Sequence, residues 1–239
     1  MLSSLPNAEP VIEPSEPRNP WAVIDLAIFS LFFVGMLVLV VPFAKLPIVY
    51  AIPLQGLFNV TLVGFIAGWI RIVRRRSFIE YVHLYRHHTF STRTLIVLGA
   101  VLALSVLFVS AFLPSSGQTP LEKLLTTRSA ILMFAVFGVA FAPLLEEIIF
   151  RGFLFKVLWE IGGFTVAVPV TAVLFALLHS PQLAGNWPSV ILIFLVGLIL
   201  SVVRHRSNSI IPSFIVHTSY NAMLLLLFAL STFTQKLAK

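Results

Sequence analysis

PLLEEIIFRGFLF, residues 143–155, places two adjacent glutamates and an arginine inside a long apolar segment. A charged side chain at membrane depth costs at least ~2.5–3.5 kcal/mol on insertion scales, so such residues are candidates for function. On a helix, Glu147 and Arg151 are four residues apart and can form an ion pair. Glu146 is turned about 100° from Glu147 at 3.6 residues per turn. We therefore expect Glu146 to point elsewhere, without the neutralising charge of Arg151.

The composition is that of an integral membrane protein. Hydrophobic residues make up 59% of the 239 and charged residues only 10%, whereas a soluble domain carries about a quarter charged residues. Apolar segments long enough to cross a bilayer, roughly 17–25 residues, recur along the chain. Because lipid permits only helices or closed barrels, and these segments are too long for strands, we predict an all-α fold. The fold is a polytopic transmembrane helical bundle of about seven to eight spans, near 22–43, 48–70, 94–113, 129–158, 164–179, 189–203 and 210–230.

The distribution of charged residues bears on the N-terminal tail, the binding partners and the orientation in the membrane. Residues 1–20 are rich in proline and acid, which predicts a disordered N-terminal tail before a single membrane domain at 21–239. The net charge of +7 does not form one soluble patch, since the basic residues flank apolar segments. We therefore predict membrane lipid as a partner and no nucleic acid. An N-terminus inside places eleven of the 16 lysines and arginines on the inner side and five outside, which favours a multi-pass inner-membrane protein in that orientation.

Two further polar motifs lie on predicted spans. FALLHS places Phe175 and His179 on one helical face, and HTSYN places His217 and Asn221 on another, by the same four-residue spacing. Counting from the glycine turn between the fourth and fifth spans puts Glu146 and His179 at similar depth, roughly 25 Å from the tip. A lone intramembrane histidine is more often a helix-contact residue. A glutamate, two histidines and an asparagine at matching depth instead predict one site.

In this order, the three motifs resemble those of the CPBP intramembrane proteases, a family that includes the CAAX prenyl endopeptidases and the bacterial Abi group. The likeness covers about residues 128–230, and the earlier spans match only in being apolar. The motifs are Glu146-Glu147-x-x-x-Arg151, Phe175-x-x-x-His179 and His217-x-x-x-Asn221.

The resemblance implies an intramembrane endopeptidase that hydrolyses peptide bonds of membrane-associated peptides or protein tails. Glu146 and His179 would hold and activate a water, with Glu146 as the general base. His217 and Asn221 would donate to the oxyanion of a tetrahedral intermediate. The absence of cysteine and of a G-x-S-x-G motif agrees with water as the nucleophile. Supporting roles are expected for Glu147, Arg151 and Phe175, with Glu147 pointing away from the water.

Several alternatives stay open. Glu146, His179 and His217 would make a zinc set with an open position, but the histidines lack H-E-x-x-H spacing, and a mechanism without metal is favoured. An ion- or proton-coupled transporter would use the same residues to carry protons or ions, and it predicts a repeat symmetry that the sequence lacks. A non-catalytic peptide-binding or immunity-type protein of the same fold would tolerate loss of Glu146.

Overall fold

The computed structural model describes residues 19–43, 46, 48–85, 89–113, 128–183 and 185–237. The predicted N-terminal tail therefore lies, up to residue 18, outside the described residues. Residues 114–127 also lie outside them. The described chain consists of helices joined by short turns, which confirms the predicted all-α class.

Within the described residues, the first half of the chain contributes three long helices and one short one. Helix α1 is Pro20–Val40, continued by a 3-10 turn at Val41–Phe43, and α2 is Ile48–Ile72. The short α3 is Phe78–Tyr81, and α4 is Thr92–Ser110. Asn19 fixes the start of α1, because its side chain accepts a hydrogen bond from the Trp21 amide and proline follows at the first turn.

The second half begins with a composite fourth span. It runs through α5 (Arg128–Val136), a π-helical turn π1 (Phe137–Phe141), α6 (Ala142–Glu147), a second π-helical stretch π2 (Ile148–Leu154) and α7 (Phe155–Gly162). Helix α8 is Phe164–His179, followed by a 3-10 turn at Ser180–Leu183. Helices α9 (Trp187–Ser207) and α10 (Ile210–Leu237) complete the bundle.

Seven helical segments among the described residues are long and apolar enough to cross a membrane, which confirms the predicted polytopic bundle. They are Pro20–Phe43, Tyr50–Val73, Thr92–Ser110, Ile131–Gly162, Phe164–Leu183, Trp187–Ser207 and Ile210–Ser231. Each lies within a few residues of the segment read from hydropathy. The protein is thus an integral, multi-pass membrane protein.

Polar contacts fasten the helix ends on the side of the bundle where α1 begins. Asp25 of α1 is buried and accepts hydrogen bonds from Trp69 Nε1 at 2.6 Å and Arg74 Nε at 2.9 Å. Asn19 Nδ2 donates to Glu160 of α7 at 3.0 Å. These bonds tie α1 to the end of α2 and to α7, so the peripheral first span is held to the span that carries the two glutamates.

The fourth span departs from regular α-helix on both sides of α6. In π1 the amide of Ala142 donates to the carbonyl of Phe137, five residues back rather than four. Pro143 follows at once; it has no N–H and disfavours a regular α-helical turn before it. Wider π-helical turns often occur at functional sites. The six residues of α6, which end in Glu146 and Glu147, are therefore presented between two irregular turns.

Helix α4 packs tightly against α10 through Gly99. A Cβ built on Gly99 would lie 2.7 Å from Ser219 Cβ and would also meet the carbonyl oxygen of Val216. Small residues permit such close approach between membrane helices. Because Val216 and Ser219 flank His217, this contact helps to fix the position of that histidine.

Substituting alanine for Gly99 should destabilise the bundle, since the added methyl must push α4 away from α10. Overpacking of this kind costs about 1–3 kcal/mol, so we expect Gly99→Ala to lower the thermal unfolding midpoint in detergent. Gly64→Ala on α2 is the matched control, because nothing lies within 4 Å of its added Cβ; it should unfold at the wild-type temperature. Equal midpoints for both variants would contradict the close contact.

Candidate active site

The predicted ion pair of the fourth span is present and fully buried. Arg151 Nη1 donates to Glu147 Oε1 at 3.2 Å, and both side chains have 0% exposure. Arg151 Nη2 also donates to the carbonyl of Gly197 in α9, at 3.1 Å. The pair therefore joins the fourth and sixth spans as well as neutralising its own charges.

His217 of α10 contacts both glutamates. Its Nδ1 lies 3.0 Å from Glu147 Oε1, and its Nε2 lies 3.8 Å from Glu146 Oε2. Glu147 therefore meets the imidazole at the nitrogen opposite the one that faces Glu146, a contact that the sequence analysis did not predict. The two glutamates flank the face of α6 against which α10 packs, and the two ring nitrogens of one imidazole reach toward both. Arg151, Glu147, His217 and Glu146 thus form a continuous polar chain.

The polar contacts from Arg151 to Glu146 determine which nitrogen of His217 carries a proton. Glu147 is paired with Arg151, and an ionised carboxylate only accepts hydrogen bonds. Nδ1 of His217 must therefore be the donor in the contact with Glu147, and this assignment follows from the partner. Nε2 is left facing Glu146.

Glu146 is the most accessible member of this chain. Its side chain is 14% exposed, compared with 4% for His217. Within the described residues it makes no hydrogen bond to another side chain, and its nearest charged partner is His217 Nε2. A separation of 3.8 Å is too long for a direct hydrogen bond but suits one bridging water with hydrogen bonds of about 2.8 Å.

The Phe175 ring contacts both His217 and His179. The Phe175 ring is 2% exposed, and its centroid lies 5.6 Å from that of His217 and 4.4 Å from that of His179. The guanidinium carbon of Arg151 lies 4.4 Å from the centroid of the same ring, close enough for a cation–π interaction. The Phe175 ring therefore contacts both histidines and the arginine.

His179 lies beside this chain without a hydrogen bond to it. Nδ1 donates to the carbonyl of Phe175 at 2.7 Å, because a carbonyl only accepts. The described residues offer no hydrogen bond from His179 to Glu146 or His217. In the neutral ring, Nε2 is then the nitrogen free to accept a hydrogen bond.

Asn221 lies one turn beyond His217 on α10, but its contact is with the backbone. Nδ2 donates to the carbonyl of Gly138 in π1 at 2.8 Å. Nδ2 carries two N–H groups, so the oxyanion role that the resemblance implies for Asn221 would have to use the second.

The three residues considered for zinc do not assemble a metal site in this geometry. In the described part of the chain, no three His, Asp or Glu side chains lie close enough to share a metal ion. Glu146, His179 and His217 are therefore too far apart in this geometry to act together as three zinc ligands.

Sequence reasoning missed the backbone groups and one side chain that complete the site. The carbonyl of Gly197 accepts from both Arg151 and Ser201 Oγ. Arg204, which is buried, donates through Nε to the carbonyl of Arg151 at 3.0 Å, inside π2. Backbone carbonyls carry no sequence signature. The arginine was assigned to the membrane flank because it belongs to a basic cluster.

One family model matches the part of the chain that carries the site. Residues 128–223 match the family model described as Type II CAAX prenyl endopeptidase Rce1-like. The match begins with the fourth span and ends in α10, so it includes all three motifs of the site. Searches of curated proteins and of solved structures each found no match.

This match confirms the resemblance seen in the sequence and supports an intramembrane protease activity in general. Helices α1 to α4 lie outside the matched segment. They contact it nonetheless, since α4 packs on α10 and α2 packs on α6.

Removing Arg151 should destabilise the fold, because Glu147 would be left as an uncompensated buried charge. Breaking one side of a buried pair typically costs ~3–5 kcal/mol, so Arg151→Ala should lower both folded yield and unfolding midpoint in detergent. Arg206→Ala, at an exposed position on α9, is the matched control and should unfold like the wild type. Normal yield and midpoint for Arg151→Ala would show that the pair does not stabilise the bundle.

Proposed function

We propose that this chain is a CAAX-type intramembrane endopeptidase that hydrolyses peptide bonds with a water activated by Glu146. The supporting observation is the 3.8 Å approach of Glu146 Oε2 to His217 Nε2, at the end of a fully buried charge chain. This spacing places a carboxylate and an imidazole on either side of a position suited to one water.

Glu146 is the natural base among the acids of the site. Glu147 is committed to Arg151 and to His217 Nδ1, whereas Glu146 retains free acceptor capacity and some exposure. A general base must lie within hydrogen-bond reach of the proton it takes, directly or through one water. Glu146 Oε2 meets that condition for a water held against His217.

His217 would supply the positive charge at the reacting centre. If both ring nitrogens of His217 carry protons, the charges of Arg151, Glu147, His217 and Glu146 alternate between positive and negative. Their sum is zero, which suits a low-dielectric interior. Nε2–H then points into the site and can donate to the oxyanion as it forms. Donors fixed in advance where charge develops are among the largest contributions to catalysis.

His179 would complete the water site through its second ring nitrogen. Because its Nδ1–H is committed to the Phe175 carbonyl, its Nε2 can accept a hydrogen bond from the attacking water. The 4.4 Å contact with the Phe175 ring holds the imidazole in place.

The proposed reaction has two proton transfers and needs no other reactant. The water oxygen attacks the carbonyl carbon of the peptide bond while Glu146 takes one of its protons, and His217 Nε2–H donates to the oxyanion. The tetrahedral intermediate then collapses, the C–N bond breaks, and Glu146 returns the proton to the amine leaving group. The products are a carboxylic acid and an amine.

The substrates we propose are peptides or protein tails held at the membrane. The site is carried by helices long enough to span a bilayer, so substrates must reach it within or at the edge of the lipid. The family description names prenyl endopeptidases, which makes a lipid-modified C-terminal tail one candidate to test. We further propose the inner membrane, with the N-terminus inside, from the distribution of lysine and arginine.

Replacing Glu146 with glutamine tests the role of the base. Glutamine keeps the volume and can still hold a water, but it cannot take its proton. We expect Glu146→Gln to fold and to bind peptide while cleavage of a fluorogenic membrane-peptide library slows by roughly 10²–10⁴-fold, the usual contribution of a general base. The measurement is the initial rate per mole of folded protein in detergent or liposomes.

Glu80→Gln is the matched control, because Glu80 is an exposed acid on α3, and it should cleave at the wild-type rate. Chelators should leave the wild type active. Equal rates for Glu146→Gln and wild type would overturn the mechanism. Absence of peptide cleavage by the wild type would favour the transporter if liposomes showed proton or ion flux, and the non-catalytic binding protein if peptides bound without either.

A further inference from the structure

Asn221 replaces a hydrogen-bond donor that the fourth span lacks. The carbonyl of Gly138 could accept from two amides of its own helix, four or five residues ahead. The first, Ala142, donates to Phe137 instead. The second position is Pro143, which has no N–H. Asn221 Nδ2, from α10, donates to this carbonyl at 2.8 Å.

The replacement matters because the fourth span offers this carbonyl no amide donor of its own. Gly138 is buried, and an unsatisfied backbone group is costly in a membrane interior. Asn221 therefore makes the combination of a π-helical turn and Pro143 tolerable at this point. Without it, the turn would have to rearrange to find another donor.

The hydrogen bond from Asn221 to the Gly138 carbonyl also helps to determine the position of Glu146. Pro143 lies three residues before Glu146, so the register of π1 determines where α6 presents the carboxylate. His217 and Asn221 lie one turn apart on α10 and hold the fourth span at Glu147 and at Gly138. Two contacts fix both the depth and the rotation of α6 against α10, whereas one contact would leave the helix free to turn.

We propose that Asn221 is a positioning residue: it donates to the carbonyl that Pro143 leaves without a partner, and it acts on catalysis through the helix that presents Glu146. This inference rests on the proposed function for its effect on cleavage, but the hydrogen-bond replacement stands independently. It gives the second polar residue of the His217 motif a task besides the oxyanion donation that the resemblance implies.

The test is a double-mutant cycle between residues 143 and 221. Asn221→Leu removes the donor at similar size, and Pro143→Ala supplies an N–H within the fourth span itself. Thermal unfolding midpoints in detergent and kcat for a fluorogenic peptide are measured for the wild type, both single variants and the double variant. Thr218→Val is the control on α10, since the Thr218 hydroxyl makes no hydrogen bond within the described structure.

Asn221→Leu should lower the unfolding midpoint by about 2–10 °C and lower kcat by roughly 10–100-fold with little change in KM. In the Pro143→Ala background, Asn221→Leu should change the unfolding midpoint and kcat only slightly. The reason is that the new backbone amide at position 143 can donate to the Gly138 carbonyl from within the fourth span. Thr218→Val should leave both quantities at the wild-type level.

Three results would overturn the proposal. An equal loss of kcat in both backgrounds, with unchanged midpoints, would make Asn221 a direct contact of the substrate. A lower midpoint with unchanged kcat per folded molecule would make it merely structural. Additive midpoint losses would show that Asn221 does not stand in for the missing amide. This last comparison needs no cleavage, so it decides the inference even if the proposed protease activity fails.

Discussion

The buried hydrogen bond between Glu147 and His217 is the contact on which the site depends. Lipid offers no partner for a charged group, so each polar side chain at this depth must be satisfied within the protein. Arg151 neutralises Glu147, Glu147 fixes the tautomer and orientation of His217, and His217 faces Glu146. Only the last member keeps some exposure. These four side chains thus place the partly exposed carboxylate of Glu146 next to the oriented imidazole of His217.

The irregular backbone of the fourth span is a condition for this arrangement. The π-helical turns on either side of α6 free carbonyl groups that a regular helix would use internally. Gly138 and Arg151 receive side-chain donors for these carbonyls, from Asn221 and Arg204 respectively. Each of these donors comes from another span, so the irregular turns become points of attachment between helices. Stability and active-site geometry are consequently set by the same bonds.

The sequence was sufficient for the spans and for the resemblance to the family, because these depend on hydropathy, helical spacing and motif order. The pairing of Glu147 with Arg151 followed from their four-residue separation. The contact of Glu147 with His217 could not be predicted in this way, since it depends on the rotation of α6 between two π-helical turns. The contact of Asn221 was equally hidden, because its partner is a backbone carbonyl on a different helix.

The protonation of His217 tests the central claim most directly. Nitrogen-15 NMR of histidine-labelled protein in detergent reports the tautomer of each ring, and His217→Gln identifies the resonances of His217 among the six histidines. The proposed charge chain predicts that Nδ1 of His217 carries a proton, which it donates to Glu147. A His217 protonated only on Nε2, with Nδ1 unprotonated, would contradict the Glu147–His217 hydrogen bond and the charge chain built on it.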